Sequence, residues 1–296
     1  MLQGEYESMK ALHEVSPDFV PFPLGYGTYE RDPDMHFFMS DFIDIASKLP
    51  EKTTFCSKLA ELHRKSQHMT QYGLGPSTTG WKSQSSGGKV ERKYGFPITT
   101  YNAKLPQNNT WTASWESFYL TQMRQLFDLE REAQGKSSEL DELLPFFYDK
   151  VIPRLLRPLE TGKNNLLPAL IHGDLWHSNA AVRKSSGPVT SEKERPLIFD
   201  ASAFYAHNEA ELGMWRPKRF EMRTDYIEEY FRHFPPSAPA ADREDRNLLY
   251  SLRPDLQDAA LFPSTTRFRE LVIETVRYLV EKYKGGFEEW AKQNQS

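Results

Sequence analysis

The sequence contains one cysteine, no long apolar run and no excess of basic residues. Cys56 has no second cysteine to pair with, so we expect a reducing, cytoplasmic location, with a missing N-terminal targeting segment left open. No segment approaches the roughly 18 apolar residues of a membrane-spanning helix, and the first ten residues, MLQGEYESMK, lack the apolar core of a signal peptide. These absences argue against a disulfide-rich secreted domain and against a membrane protein.

Acidic residues slightly outnumber basic ones. The chain has 41 Asp and Glu against 37 Lys and Arg, which gives a net charge of −4 and a pI near 6.1. There is therefore no electrostatic reason to expect nucleic acid or an anionic membrane as a partner. With 39% hydrophobic residues among 296, the chain can bury one large core or two modest ones. The composition predicts a soluble globular protein and leaves its oligomeric state open.

Apolar spacing predicts strands near the start of the chain and a mostly helical remainder. The second helix shows the pattern best, because Phe55, Leu59 and Leu62 share one face and a threonine stands at its start as the predicted cap. The predicted helices span residues 4–14, 53–67, 115–128, 140–160, 220–234 and 266–284. The predicted strands span residues 23–30, 35–43, 180–183 and 196–200. A polar loop is predicted at residues 73–93.

The segment LIHGDLWHSNAAV, residues 170–182, gathers unusual chemistry between apolar residues. Asp174 and Asn179 are five positions apart, the spacing of the kinase catalytic loop H-x-D-x-x-x-x-N. A second carboxylate, Asp200, closes the apolar run 196–199. Aspartate and asparagine oxygens are suitable ligands for a Mg²⁺ ion that also binds phosphates. The three residues together predict phosphoryl transfer with ATP and Mg²⁺ as cofactors.

Two other interpretations of this segment remain open at this point. Taken singly, an H-G-D triplet or an aspartate after a strand is often only structural. A metal hydrolase would instead use His172, Asp174 and His177 as ligands. The other histidines, such as His63 and His207, show no paired ligand spacing, so the sequence favours the kinase interpretation, with His172 as a hydrogen-bonded packing residue.

Three stretches resemble the fructosamine and ketosamine kinases, a family that includes protein-ribulosamine 3-kinases. HGDLW…N and IFDASAFYAH are similar to the family's HGDLWxxN and IFDPAxxYGH, and YGFPITTYNAKLPQNNTWTASWESFY is similar to its PQxNxW segment and WxxFY helix. The resemblance implies an α+β, protein-kinase-like fold of the aminoglycoside and choline kinase type. It further implies a truncated N-terminal small lobe with its hinge at residues 1–46 and a helical C-terminal lobe at 47–296.

The resemblance also assigns roles by matching position. It implies that Asp174 is the catalytic base and that Asn179 and Asp200 bind Mg²⁺. Trp176 would line the sugar site, with a packing tryptophan as the alternative, and Glu5 would be the glutamate that pairs with a nucleotide-binding lysine. The hinge that offers backbone groups to adenine would consist of Met39, Ser40, Asp41 and Phe42. Glu209 and Glu211 either brace the catalytic loop or touch substrate, and Asn108, Asn109 and Trp111 match the signature without a derived role.

The chain departs from the family pattern at its start. No strand precedes Glu5, so no lysine can occupy the phosphate-binding place, and Lys10 on the same helix is a poor substitute. No segment reads G-x-G-x-x-G, and Gly87-Gly88 falls in the polar loop. An internal start of the gene model, a fragment or a pseudokinase would each explain this. We expect weak ATP affinity and poor solubility for these 296 residues.

The implied function is ATP-dependent phosphorylation of ketosamines at the sugar 3-hydroxyl, which would repair glycated proteins. The implied partners are glycated proteins or small ketosamines, with the choice between ribulosamine and fructosamine open. One alternative is a catalytically impaired binding module that lacks the phosphate-binding lysine. The other is a kinase of another small alcohol or an aminoglycoside-like substrate.

Overall fold

The structure is a computed structural model that describes residues 1–46, 48–73, 75–76, 92–184 and 195–294. Its helices are α1 Leu2–Val15, α2 Lys52–Gln71, α3 Trp115–Gln134, α4 Ser138–Phe146, α5 Ile152–Leu156, α6 Thr224–His233, α7 Arg243–Leu261, α8 Thr266–Lys282 and α9 Gly286–Asn294. Its strands are β1 Pro23–Tyr29, β2 Asp32–Ser40, β3 Ile45–Ala46, β4 Tyr101–Asn102, β5 Leu105–Pro106, β6 Ala169–Ile171, β7 Ala180–Arg183, β8 Pro196–Ile198 and β9 Phe204–Ala206. Most of the predicted polar loop, with Gly87-Gly88, lies outside the described residues.

The strands form small antiparallel sheets. β1 and β2 form the hairpin that the sequence predicts, and β4 pairs with β5. β6 pairs with β9, while β3, β7 and β8 form a sheet in that spatial order. Because β7 follows the catalytic-loop segment and β8 precedes Asp200, their pairing brings those two parts of the chain together. The hairpin predicted behind the motif is therefore confirmed, although β8 ends at Ile198 rather than at residue 200.

Helix α1 packs against the segment that follows Asp200. Its apolar face buries Met9 and Leu12, as the predicted spacing requires. Ser8 accepts a hydrogen bond from the Ala203 amide at 3.0 Å. At Gly4 the backbone of Thr99 approaches so closely that a Cβ would lie 2.8 Å from its carbonyl oxygen. Helix α1 is thus held directly beside the candidate site.

The β1–β2 hairpin carries exposed apolar side chains. Within the described residues each of these strands pairs only with the other. More than 40% of the side-chain surface is exposed at several large hydrophobic residues of the hairpin, namely Leu24, Tyr26, Tyr29, Met35 and Met39. An unpaired strand edge with apolar neighbours favours association with other chains. The expectation of poor solubility has this structural basis and stays a prediction.

The helical part agrees with the sequence prediction in outline and differs from it in detail. The helical region predicted at residues 140–160 is confirmed, but it is not one regular helix, because α4 gives way to a π-helical turn, then α5 and a 3₁₀ turn. Pro145, Pro153 and Pro158 each lack the amide that a continuous α-helix needs. Helix α2 is capped by Glu51 rather than by a threonine. Helices α7 and α9 were not predicted.

The described helices contain no candidate for a bilayer crossing, because none combines the required length with sufficient apolarity. They surround a continuous core instead. Its largest fully buried side chains include Trp115, Trp215, Tyr119 and Tyr250. The indole amines of both tryptophans are hydrogen bonded, to the Tyr250 hydroxyl at 2.9 Å and to the Leu175 carbonyl at 2.7 Å. The second bond fixes the core directly to the catalytic-loop segment.

Candidate active site

The ring of His172 connects the segment around Asp174 with the segment that ends at Asp200. Its Nε2 lies 2.9 Å from the Phe199 carbonyl oxygen, and its Nδ1 accepts from the Asp174 amide at 3.2 Å. These contacts assign the proton to Nε2, and burial lowers the pKa of the ring, so the neutral form is favoured. Both nitrogens are occupied. The prediction of a hydrogen-bonded packing residue is confirmed.

Gly173 and Glu211 set the path of the backbone into Asp174. Gly173 has φ +82°, and a Cβ there would lie 2.3 Å from the Ser202 carbonyl oxygen. The buried Glu211 carboxylate accepts from the amides of His172 at 2.5 Å and Gly173 at 3.0 Å. Glu211 therefore braces the loop. Glu209 instead forms a buried ion pair with Arg246 at 2.8 Å.

Asp174, Asn179 and Asp200 meet in one place. Asn179 ends a 3₁₀ turn just before β7, and its Nδ2 lies 2.9 Å from the Asp174 carbonyl oxygen. The same nitrogen is 3.5 Å from the Asp174 carboxylate and 3.3 Å from the Asp200 carbonyl oxygen. One amide group thus links the backbones of both aspartates.

The donor atoms at this place suit a magnesium ion. Asn179 directs its Nδ2 at protein oxygens, which leaves Oδ1 available as a ligand. Asp200 is exposed, and φ +59° gives it a left-handed backbone that is uncommon for a residue with a side chain. Mg²⁺ typically takes one or two protein oxygens together with substrate phosphates. Asn179 and Asp200 together offer such a set.

Asp174 carries a proton more tightly than an ordinary aspartate. Burial raises the pKa of its carboxyl to about 7, Arg253 acts in the opposite direction, and the nearby Asp200 adds to the rise. A carboxylate with a pKa near neutrality is well matched to accept a proton at neutral pH. This electrostatic setting is consistent with a general base.

Trp176 lies next to Asp174 and is half-buried. Its ring centroid is 5.9 Å from that of Phe220 and 4.9 Å from that of His177. The ring packs against the core and also keeps an exposed part. It therefore contributes packing whether or not it also borders a substrate.

Glu5 and the predicted hinge belong to the first part of the chain. Burial and then the Asp200 carboxylate raise the pKa of Glu5 to about 7. Met39 and Ser40 end β2, the Asp41 amide donates to the Phe22 carbonyl at 2.9 Å, and the Phe42 side chain is 95% exposed. The Asp41 amide is thus already used within the protein.

The metal-hydrolase alternative finds no support in the geometry. Both ring nitrogens of His172 are engaged, and His177 turns toward Glu221, with Nε2 3.8 Å from that carboxylate. Across the described ranges no group of three His, Cys, Asp or Glu side chains could hold a metal ion. A cavity of about 460 Å³ between α3, α4 and the turn after them includes none of the site residues named above.

The signature segment after residue 94 supplies Gln107, which sequence reasoning missed, and Asn109, for which it derived no role. Gln107 Nε2 donates to the Ser202 carbonyl at 3.1 Å, and Asn109 Nδ2 donates to Thr100 Oγ1 at 2.7 Å. The segment thus fixes the backbone that follows Asp200. Arg253 on α7 reaches the same region and donates to the Gly173 carbonyl at 2.5 Å. The sequence contains one signal for this role, namely an arginine among the apolar residues of LLYSLRPDL, residues 248–256.

Two named kinases are similar in sequence to most of this chain. The protein-ribulosamine 3-kinase of Oryza sativa subsp. indica, named as chloroplastic, is 29% identical over 255 residues, which cover 84% of this chain and 61% of that protein. The ketosamine-3-kinase of Mus musculus is 32% identical over 219 residues, which cover 72% of this chain and 64% of that protein. The chain therefore spans about 61% of the length of the rice relative.

Solved structures with the same fold include two kinds of phosphotransferase. A protein from Thermobifida fusca YX-ER1, provisionally assigned as a fructosamine-3-kinase, has a TM-score of 0.64 at 20% identity, covering 95% of this chain and 80% of that one. A thermostable mutant of the aminoglycoside phosphotransferase APH(4)-Ia has a TM-score of 0.52 at 14% identity, covering 94% and 83%.

These likenesses define the fold class as protein-kinase-like α+β, as predicted. A family model described as fructosamine kinase matches residues 1–277. The chain belongs to the fructosamine kinase family.

Proposed function

We propose that this protein phosphorylates a ketosamine with ATP, at the 3-hydroxyl of the sugar. The substrate class follows from the relatives, which are named for ribulosamine and ketosamine 3-kinase activity. The substrates would be glycated protein lysines or small ketosamines, and the phosphorylated adduct would be the first product of deglycation. The observation that carries the proposal is the meeting of Asp174, Asn179 and Asp200 around one amide group.

The chain's own residues would divide the reaction between them. Asp174 accepts the proton of the attacking sugar hydroxyl, whose oxygen forms a bond to the γ-phosphorus while the bond to the β-phosphate oxygen breaks and ADP leaves. Asn179 Oδ1 and the Asp200 carboxylate would hold Mg²⁺, which neutralises charge on the phosphates when bound. Glu211 and His172 keep the loop in shape and touch no substrate.

The adenine side of the site is a separate part of the proposal. We infer that the segment Met39–Phe42 borders the nucleotide, because it joins β2 to β3 and β3 pairs with β7, the strand that follows Asn179. Backbone carbonyl and amide groups of this segment other than the Asp41 amide, which is bonded to the Phe22 carbonyl, would face adenine. Trp176 would border the sugar with the exposed part of its ring, since an aromatic face suits the apolar side of a sugar.

The test is ATP turnover on a ribulosamine-lysine substrate. We expect Asp174→Asn to lower kcat by roughly 10²-fold or more, because the variant lacks a base for the hydroxyl proton. The matched control is Asp18→Asn, a surface aspartate before β1, which should leave turnover unchanged. Wild-type turnover by Asp174→Asn would remove the assigned base, and the absence of turnover in the full-length wild-type protein would overturn the proposal.

A second candidate function is a binding module without catalysis. Glu5 supports it, because the charge that acts on this buried carboxylate in the described residues is that of Asp200 and not that of a lysine. Calorimetric titration with a ribulosamine and a separate turnover assay would distinguish the two: binding without turnover favours the module. A panel that includes an aminoglycoside and a simple amino alcohol would test the third alternative.

A further inference from the structure

Asn102, the last residue of β4, has an amide group whose orientation is fixed. Its buried Oδ1 accepts from Ser202 Oγ at 3.2 Å and from Arg253 Nη2 at 2.9 Å. Both partners are donors, so the oxygen and not the nitrogen must face them. The side-chain nitrogen of Asn102 is therefore directed away from Arg253.

That nitrogen is left without a partner. Asn102 Nδ2 is buried and has no hydrogen-bond partner within the described residues. The Asn102 side chain is close to Asp174, because Arg253 donates both to Asn102 Oδ1 and to the carbonyl of Gly173, the residue before Asp174. A hydrogen bond from Asn102 would lower the pKa of the Asp174 carboxyl. Leaving a buried donor without an acceptor destabilises the folded state, which favours a bond from Nδ2 to this carboxylate.

Arg253 holds this arrangement through three acceptors from separate parts of the chain. It donates to the Gly173 carbonyl at 2.5 Å, to Asn102 Oδ1 at 2.9 Å and to Gln107 Oε1 at 2.6 Å. Its guanidinium also lies 5.3 Å from the Phe204 ring centroid. A planar group with donors in a fixed fork is rigid once several donors are engaged. Arg253 thus determines where the Asn102 amide can point.

We propose that Arg253 is a positioning residue that orients Asn102, so that Asn102 Nδ2 donates to the Asp174 carboxylate and holds it ready for the substrate hydroxyl. Arg253 acts through Asn102 and touches no substrate. The catalytic consequence depends on the proposed function, whereas the hydrogen bond itself does not. The two claims are therefore tested separately.

The hydrogen bond is tested first, by NMR of the full chain with ¹⁵N-labelled asparagine. The side-chain amide signal of Asn102 is assigned by its loss in Asn102→Leu. We expect it to shift in Asp174→Asn and in Arg253→Met. The matched control is Arg154→Met. This substitution on α5 breaks a partly buried ion pair, in which Arg154 lies 2.7 Å from Asp242, and it should leave the Asn102 signal in place. An Asn102 signal that does not move in Asp174→Asn overturns the proposal, whether or not the protein is a kinase.

The catalytic role is tested by a double-substitution cycle on ketosamine turnover. Arg253→Met should lower kcat by about 10- to 100-fold with little change in the KM for ATP, because a small misplacement of a reacting group costs that much. Asn102→Leu should have a similar effect. When Arg253→Met is added to the Asn102→Leu variant, the further loss of kcat should be much smaller than the loss that Arg253→Met causes in the wild type, since both substitutions act on one contact.

Fully additive losses in that cycle, or an unchanged kcat in both single variants, would overturn the positioning role. Arg253→Lys keeps the charge and an N–H donor group but not the planar fork, and it should recover part of the kcat. Melting temperatures of all variants are measured in parallel, so that a loss of folding is recognised as such. If the wild-type chain shows no turnover, the proposed function fails while the NMR result still decides the contact.

Discussion

At the scale of single residues, the carboxyl of Asp174 carries a cost in stability. Burial raises the pKa of its carboxyl from 3.8 to about 7. The folded protein therefore binds this proton more tightly than the unfolded chain does. As the pH rises from about 4 to about 7, the unfolded state loses the proton first, and the free energy of unfolding falls.

Replacing this carboxyl with a neutral group should remove the penalty. We expect Asp174→Asn, without nucleotide, to be more stable than wild type by about 1 to 3 kcal/mol at pH 8, allowing for partial solvent exposure of the carboxyl. The gain should be smaller at pH 5, where the folded wild type keeps the proton. Urea unfolding at the two pH values measures it. A variant that is equally or less stable at pH 8 would show that Asp174 is not strained by burial.

Gly173 shows how little space the loop leaves. We expect Gly173→Ala to destabilise the protein strongly and to abolish turnover, because the new Cβ would lie 2.3 Å from the Ser202 carbonyl oxygen. Gly162 is a matched control, with φ +65° and nothing within 4 Å of its Cβ position. Gly162→Ala should cost only about 1 to 2 kcal/mol, from backbone strain. Thermal unfolding compares them, and equal losses would mean that the contact with Ser202 is unimportant.

At the scale of elements, α2 begins at an acidic cap. The Glu51 carboxylate accepts from the amides of Thr53 at 2.8 Å and Thr54 at 2.7 Å. These bonds, the Thr54 amide first, lower the pKa of Glu51 to about 2. The cap therefore stabilises the helix above about pH 4.5, and this stabilisation is lost as the pH falls toward 2.

Removal of the cap gives a measurable cost. We expect Glu51→Ala to lose about 1 kcal/mol at pH 7, because two amides of the first turn lose their acceptor. Glu51→Gln keeps an acceptor oxygen and should lose less. Urea unfolding of the wild type and the two variants measures the difference in the free energy of unfolding. If Glu51→Ala were as stable as the wild type, the first turn of α2 would be capped by another group.

The elements show which patterns can be predicted and which cannot. The face of α2 formed by Phe55, Leu59 and Leu62 is buried as its spacing predicts. The cap was assigned wrongly because threonine is the commoner cap, while here Thr54 Oγ1 itself donates to Glu51. Helix α7 was missed because Pro254 lies inside it, and packing on both sides offsets the missing amide.

At the scale of the whole molecule, the sequence predicts the proximity of Asp174, Asn179 and Asp200 but not the residues that support them. Asp174 and Asn179 lie within one motif, and Asp200 follows β8, which pairs with the strand after that motif, so their spacing already implied proximity. Arg253 and Asn102 are separated by 151 residues, and only the packing of α7 against the catalytic loop brings them together. The lobe boundary at residue 46 and the weak binding of ATP stay predictions.

The central claim is that Asn179 and Asp200 hold a divalent ion beside Asp174. The direct measurement is a crystal structure of the full-length protein with Mn²⁺ in place of Mg²⁺ and a non-hydrolysable ATP analogue, with the ion located by anomalous scattering. We predict one peak at about 2.1 to 2.2 Å from Asn179 Oδ1 and from an Asp200 carboxylate oxygen, bridging to the phosphates. A bound nucleotide whose metal ion contacts neither side chain would contradict the assignment of this site.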